Sequence, residues 1–307
     1  MDKKRDKHQP KFTIQMTLPQ FERMFPDEDS CRTYLAEHRW PKGVTCPRCL
    51  TSEHVYALAK PWHWECANPE CRKGNAYRFS LTAGTIFENT KVPLKIWFKV
   101  LYMIVTSKKG VSALQVHRTF GFGSYSTAFY MCHRLRAAMH DPEFRQLMGI
   151  VEVDETFIGG KEGNKHKNKR TVKGGHAGKI PVVGAIARKG NVICRMIEKA
   201  DVPTLTKFVR RVVDEKVDLV ATDEWSGYKL LQFALPHEVV RHGAGEYVRG
   251  EVHTQNIESF WSLLKRGILG TYHNVSKKYL PLYLAEFQFR FNNRHEVDIF
   301  GKAIAGC

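Results

Sequence analysis

Acidic residues on three separate segments of this 307-residue chain could together bind a divalent cation. Asp223 ends the apolar run 219–221, which is typical of a buried strand, and Asp154 lies in the middle of a second strand-like segment, 150–158. Glu258 follows on an amphipathic helix. Carboxylates brought together repel one another unless a cation neutralises them, and Mg²⁺ and Mn²⁺ bind through a few carboxylates while keeping positions for water and phosphate. The pattern therefore predicts metal-dependent cleavage or transfer of a nucleic-acid strand.

The helix that carries Glu258 has an apolar stripe with polar residues beside it. Glu258, Ser262 and Lys265 are four and three residues apart, so they lie on the same side of the helix. We expect the apolar stripe to pack on the core and to leave this polar side free for the site. The stripe consists of Ile257, Phe260, Trp261, Leu264 and Ile268.

Three further acids are alternatives to these three. They are Glu152, Glu155 and Glu224. Glu152 is the strongest alternative, because side chains two residues apart on a strand share a face and Glu152 would then lie beside Asp154. A single acid at a strand end is more often a turn or cap residue than a ligand. The prediction therefore depends on the order of two strands and a helix.

Four of the eight cysteines have the spacing of metal ligands. Cys46 and Cys49 form one knuckle, and Cys66 and Cys71 form a second. Two close pairs of thiolates on turns predict a closed tetrahedral structural Zn²⁺ site in a zinc ribbon. The alternatives are four unrelated buried cysteines, or a histidine, His54 or His63, in place of one thiolate.

Three stretches around the acids carry a family resemblance. They read VEVDET at 151–156, ATDEWSGY at 221–228 and HTQNIESFWSLLKRG at 253–267. These stretches resemble the DDE transposases of bacterial insertion sequences, and the cysteine pairs with the helix after them are similar to the subgroup that has an N-terminal zinc ribbon. The resemblance extends from about residue 18 to 293. It implies an α/β fold class with a ribonuclease-H-like catalytic domain.

The resemblance also implies roles for individual residues. Asp154, Asp223 and Glu258 would hold Mg²⁺ or Mn²⁺, and Lys265, two helical turns beyond Glu258, would contact DNA near the site. Some relatives have asparagine in place of the glutamate, and Asn256 lies close by. Glu258 is favoured because a carboxylate binds a hard divalent cation better than an amide does.

The charge of the chain favours a polyanionic partner. A formal net charge of +17 and a pI near 9.5 exceed what solubility requires, which indicates a polyanion, with nucleic acid as the first candidate. The family resemblance implies that this partner is double-stranded DNA. Apolar runs are too short to cross a bilayer and the chain opens on charged residues, so we expect a cytoplasmic, nucleoid-associated protein without a membrane partner. Basic residues cluster in a loop after the Asp154 strand, and we expect that loop to bind DNA phosphates. The DNA-binding residues predicted there are Lys165, Lys167, Lys169, Arg170 and Lys173.

The segment 110–139 predicts two helices around a short glycine-containing turn. That pattern is typical of a helix-turn-helix, although helical hairpins without DNA contacts are also common. The residues predicted to face DNA are Tyr125, Ser126, His133 and Arg134. Arg266, next to the catalytic-site lysine, is a further predicted DNA contact.

Together these patterns predict five regions. We expect a basic arm at 1–17, a zinc ribbon with flanking helices at 18–90, a helical helix-turn-helix-like region at 91–145, a ribonuclease-H-like domain at 146–297 and a C-terminal tail at 298–307.

The function implied by the resemblance is DNA transposition. The protein would cut strands at the terminal repeats of the element and transfer the freed 3′-OH into target DNA by in-line phosphoryl transfer, as at least a dimer when two ends are synapsed. Two alternatives stay open: a nuclease or resolvase of the same fold without strand transfer, and a catalytically inactive zinc-ribbon DNA-binding regulator.

Overall fold

A computed structural model describes residues 16–71, 75–140, 145–160, 166, 168 and 178–307. The described chain forms two compact units: one contains the residues up to 108 together with 113–139 and 293–307, and the other contains 109–112 and 140–292. Within the described ranges, no helix is both long enough and apolar enough to cross a membrane. The elements are α1 (Leu18–Met24), α2 (Glu28–Arg39), β1 (Val55–Ala57), β2 (His63–Cys66), β3 (Tyr77–Ser80), α3 (Leu94–Thr106), α4 (Ala113–Phe120), α5 (Tyr125–Ala138), β4 (Ile150–Ile158), β5 (Ile180–Ala187), β6 (Val192–Met196), α6 (Val202–Val212), β7 (Leu219–Asp223), β8 (His237–Val240), α7 (Gln255–Gly267), α8 (Leu280–Asn292) and α9 (Ile299–Ala305).

The first unit joins a small antiparallel sheet, β1-β2-β3, to a helical core. Aromatic rings hold the helices together: Phe25 of the α1 C-terminus makes edge-on contact with Phe98 of α3 at 5.1 Å between ring centroids and packs on Phe300 of α9 at 5.5 Å. All three rings are buried. Burial of such rings contributes about 1.5–3 kcal/mol each.

The last residues of the chain fold into this core. We predicted a tail at 298–307, but the structure contains a helix there, capped by the Asp298 side chain, which accepts a hydrogen bond from the Gly301 amide at 2.8 Å. Ile299, Phe300 and Ile304 are buried on one side of this helix. The stretch is too short for its periodicity to be distinctive in the sequence.

The second unit is built on a mixed five-stranded sheet with strand order β6-β5-β4-β7-β8. Strands β4, β5 and β6 form an antiparallel meander, whereas β7 and β8 run parallel to β4. Together with the helices between and after the strands, this is the predicted ribonuclease-H-like fold.

Strand β4 supplies side chains to both faces of the sheet. Val151 and Val153 belong to one hydrophobic core, which includes Val209 of α6. Ile158 belongs to the other core, together with Phe260 of α7. Alternation along the strand therefore puts Glu152, Asp154 and Ile158 on the α7 face.

The sequence at 228–234 predicts a short helix, because its apolar residues lie between a glycine and a proline. The structure has two 3₁₀ turns instead, Ser226–Tyr228 and Leu231–Phe233. Leu230 and Phe233 are exposed in these turns. A regular helix gains little stability where its apolar residues are not buried against a core.

Close approach of α7 to the sheet depends on a glycine opposite Asp154. Gly184 of β5 pairs with Asp154 in register. A Cβ at Gly184 would lie 2.6 Å from Cη2 of Trp261 and 3.2 Å from Cδ1 of Ile257, both on α7. The missing side chain thus sets how closely the helix that carries Glu258 packs on the strand that carries Asp154.

Gly184→Ala should destabilise the protein by about 1–3 kcal/mol, because the added methyl group forces the Trp261 ring away from the sheet. Urea unfolding measured by tryptophan fluorescence gives the shift in midpoint. Gly270→Ala is the matched control, since a Cβ there meets no atom within 4 Å. Equal midpoints for Gly184→Ala and the wild-type protein would contradict this account of the helix packing.

Candidate active site and zinc ribbon

Two of the predicted acids meet on neighbouring parallel strands: Asp154 lies in the middle of β4, and Asp223 is the last residue of β7. Glu152 of β4 pairs with Ala221 of β7, so Asp154 and Asp223, each two residues further on, reach the same level of the sheet. Carboxylate oxygens of Asp154, Glu155 and Asp223 all lie within 4.8 Å of one another. The sheet register therefore creates a compact, oxygen-rich cluster.

The negative charges of the cluster are not balanced by neighbouring cations within the described part of the chain. Burial, followed by the negative charges of Glu155 and Asp223, raises the pKa of the Asp154 carboxyl to about 8. Burial also raises the pKa values of Asp223 and Glu155. A divalent cation would relieve this repulsion, and carboxylates are the ligands that Mg²⁺ and Mn²⁺ prefer, so these residues fit such an ion.

Glu258 faces the cluster from α7 but lies outside the group of oxygens within 4.8 Å. Its Oε1 accepts a hydrogen bond of 2.6 Å from the Thr254 hydroxyl. Its negative charge contributes to the raised pKa values of Asp154 and Asp223, which indicates that it is near both. Glu258 is thus a peripheral member of the acidic site.

The exposed side of α7 continues away from Glu258. Ser262, Lys265 and Arg266 are all exposed there, in agreement with the predicted polar side of the helix. The guanidinium Nε of Arg266 donates to the Ser262 carbonyl at 3.1 Å. Lys265 therefore presents its amine to solvent on the side of the helix that Glu258 occupies.

The three alternative acids have partners of their own. Glu155 accepts a hydrogen bond of 2.7 Å from the buried Tyr228 hydroxyl, while still belonging to the acidic cluster. Glu224 accepts the Gly243 amide at 2.8 Å. Glu152 is fully buried and its carboxylate binds the start of α7. Glu152 and Glu224 are engaged in holding neighbouring segments in place.

A histidine that the sequence patterns did not indicate also lies at the site. Nε2 of His242 is 3.9 Å from Oε1 of Glu258, and the His242 ring stacks on Tyr247. Interaction with His242 opposes the rise in the pKa of Asp223. His242 has no regular spacing to the acids along the chain, so only the turn at 242–244 brings it close.

Four thiols converge from the turn at 46–49, the end of β2 and the turn at 69–71. Cys46 Sγ lies 3.6 Å from Cys71 Sγ, and Cys49 Sγ lies 3.7 Å from Cys66 Sγ. A tetrahedron with Zn–S bonds of about 2.3 Å has edges of about 3.8 Å, so the spacing suits Zn²⁺. Hydrogen bonds from Thr51 lower the pKa of Cys49 to about 6, which favours the thiolate that a metal binds.

The residues predicted to bind DNA fall into three groups: those that are exposed, two that are engaged within the protein, and five that lie outside the described ranges. Tyr125 is 47% exposed at the start of α5, whereas His133 is buried and is not available to DNA. The Arg134 guanidinium donates to the carbonyls of Ile86 and Glu88 at 3.1 and 3.4 Å, so it braces the neighbouring loop. Residues outside the described ranges are Lys165, Lys167, Lys169, Arg170 and Lys173.

Removal of one thiol should remove the zinc. Cys46→Ser is expected to reduce bound zinc from about one ion per chain to a small fraction of that, because a hydroxyl is a poor zinc ligand. Mass spectrometry of the metal content measures the change. Cys307→Ser is the control and should keep its zinc; a Cys46→Ser protein with full zinc content would exclude this cysteine as a ligand.

Asp154→Asn should stabilise the protein in buffer free of magnesium and manganese. An acid with a raised pKa in the folded state opposes folding once it ionises, and this cost grows from about pH 4 to about pH 8. The asparagine variant should therefore gain about 1–3 kcal/mol near pH 8 and little near pH 5, measured by thermal unfolding. A pH-independent difference would contradict the assigned cause, and added Mg²⁺ should stabilise only the wild-type protein.

Comparison with known proteins finds one family match in each unit. Residues 146–292 match the family described as ISXO2-like transposase domain, and residues 26–74 match the transposase zinc-ribbon domain. The chain is 29% identical over 279 residues to a protein in the transposable element ISH50 of Halobacterium salinarum; the alignment covers 87% of this chain and 91% of that protein.

Among solved structures, the chain is similar to one in the cryo-EM structure of the simian T-cell lymphotropic virus intasome in complex with PP2A regulatory subunit B56 gamma. The TM-score is 0.28 at 12% identity, covering 61% of this chain and 64% of that chain, which is too low a likeness for any inference. The chain thus carries a transposase zinc-ribbon domain at 26–74 and an ISXO2-like transposase domain at 146–292.

Proposed function

We propose that this transposase cuts DNA strands at the ends of its element and joins the freed 3′-OH to target DNA, both at the acidic site of the second unit. The observation that carries this proposal is the convergence of Asp154, in the middle of β4, and Asp223, at the end of the parallel strand β7. Both carboxyls have raised pKa values, and no described residue places a cationic group within hydrogen-bonding distance of Asp154. Such a cluster is unfavourable for the protein alone and suits a bound divalent ion.

The catalytic groups would be Asp154, Asp223 and Glu258 as ligands, in a DDE arrangement. When bound, Mg²⁺ or Mn²⁺ would activate the attacking oxygen and stabilise the leaving oxygen of an in-line displacement. Lys265, on the Glu258 side of α7, would pair with a phosphate of the DNA beside the scissile bond. No side chain has to attack phosphorus, because water serves as nucleophile for cleavage and the DNA 3′-OH for joining.

We propose that the first unit and the basic loop supply the DNA contacts. The net charge of +17 favours binding along phosphate backbones, and α4 with α5 has the size of a helix-turn-helix. Tyr125 is the exposed candidate on α5, and Arg266 on α7 adds a cation near the acidic site. Joining two element ends to one target requires at least two active sites, so we propose that the working form is a dimer or larger.

Asp154→Asn, Asp223→Asn and Glu258→Gln should each reduce strand cleavage by roughly 10²–10⁴-fold, because each removes a proposed metal ligand. Labelled element ends with Mg²⁺ and a target plasmid measure nicked and joined products, and a gel-shift assay should show unchanged DNA binding. Asp218→Asn, at an exposed acid just before β7 and outside the cluster, is the matched control.

The products separate this proposal from its two rivals. Nicked ends without joined products would indicate a nuclease without strand transfer. Specific binding without any metal-dependent cutting by the wild-type protein would indicate a DNA-binding regulator. Near-normal cleavage by one of the three variants would remove that residue from the proposed set.

A further inference from the structure

We propose that Glu152 and Thr254 are positioning residues that hold Glu258 at the acidic site. Glu152 caps the helix that carries Glu258, and this frees the Thr254 hydroxyl to orient the Glu258 carboxylate. The inference rests on the proposed function, in which Glu258 acts as a metal ligand.

The first step concerns the start of α7. The first amides of a helix have no acceptor within the helix, and a threonine just before it usually accepts one of them. Thr254 occupies that place but makes no such bond. Instead, Oε2 of Glu152 accepts the amides of Asn256 at 2.8 Å and Ile257 at 3.2 Å, while Oε1 accepts the Asn256 side-chain amide at 2.7 Å.

The second step concerns the charge of Glu152. A carboxylate with no exposed surface is costly unless it is paired and hydrogen-bonded. Arg188 Nε donates to Oε1 of Glu152 at 3.1 Å, and His253 Nδ1 lies 3.2 Å from the same oxygen. Arg188 also donates to the Glu251 carbonyl. The carboxylate is therefore fixed by side chains and helix amides together, and the partial positive charge of the helix start favours it further.

The third step concerns Thr254, which is buried. Because Glu152 already binds the helix amides, the threonine hydroxyl is free to donate, and it does so to Oε1 of Glu258 at 2.6 Å. Glu152 lies two residues before Asp154 on one face of β4. The two hydrogen-bonded links therefore fix Glu258 relative to Asp154.

This arrangement also bears on the alternatives raised by the sequence. Both oxygens of Glu152 are occupied by donors, and the Asn256 amide is one of those donors. Neither group is then free to replace Glu258 as a ligand. Glu152 and Asn256 instead share the role of positioning α7.

The test uses the full-length, zinc-loaded protein and two readouts that do not require DNA. Mn²⁺ binding, followed by electron paramagnetic resonance, reports the acidic site. Hydrogen exchange at the amides of Asn256 and Ile257 in protein without added Mn²⁺ reports the helix cap. Thr254→Val should weaken Mn²⁺ binding roughly 10-fold with the two amides still protected, and Thr254→Ser should restore the affinity.

Glu152→Gln should speed exchange of the two amides and weaken Mn²⁺ binding, because the amide group offers a single acceptor. Val209→Ala on α6 is the control for general destabilisation: it should lower the unfolding temperature and leave the Mn²⁺ affinity unchanged. If Glu152→Gln does not fold, the comparison of Thr254→Val with Thr254→Ser still decides the second link.

Wild-type affinity in Thr254→Val, or unchanged amide protection in a folded Glu152→Gln, would overturn the proposal, as would equal loss of Mn²⁺ affinity in Val209→Ala. A wild-type protein that binds Mn²⁺ through Asp154 without cutting DNA would refute the proposed function and leave the positioning role standing. A wild-type protein that binds no Mn²⁺ would overturn both.

Discussion

Neighbouring carboxylates that are buried together repel one another, and the structure of the second unit has to accommodate that repulsion. The parallel pairing of β4 with β7 brings Asp154 and Asp223 to one level of the sheet, and Glu155 adds a third carboxylate. The sheet and the hydrophobic cores packed against it must supply the stability that keeps this unfavourable cluster together. A site of this kind exchanges stability of the free protein for affinity toward a divalent cation and the phosphates it binds.

Regular strands were predictable because their alternation is strong. The strand at 150–158 has the predicted bounds, since apolar or β-branched residues alternate with polar ones along it. The short helix α9 and the two 3₁₀ turns were not predicted correctly, because their conformation depends on which surfaces of other elements are available for packing. Local pattern alone does not contain that information.

The candidate site was predictable in its residue types and less so in its geometry. The sequence indicated Asp154 and Asp223, and the register of the sheet brings them together. It did not indicate that Glu155 would lie closer to them than Glu258, since adjacent strand residues ordinarily point to opposite faces. The role of Glu152 was also hidden, because its partners on α7 lie about a hundred residues away.

The capping of α7 by Glu152 of β4 has a consequence for the folding of the chain. The acceptor for the first helix amides comes from a residue 104 positions upstream. During synthesis, the residues of β4 therefore leave the ribosome well before those of α7. The first amides of the helix can bond to Glu152 only after β4 has taken its position in the sheet. Synthesis from the amino terminus thus produces β4, which carries the capping Glu152, before it produces α7.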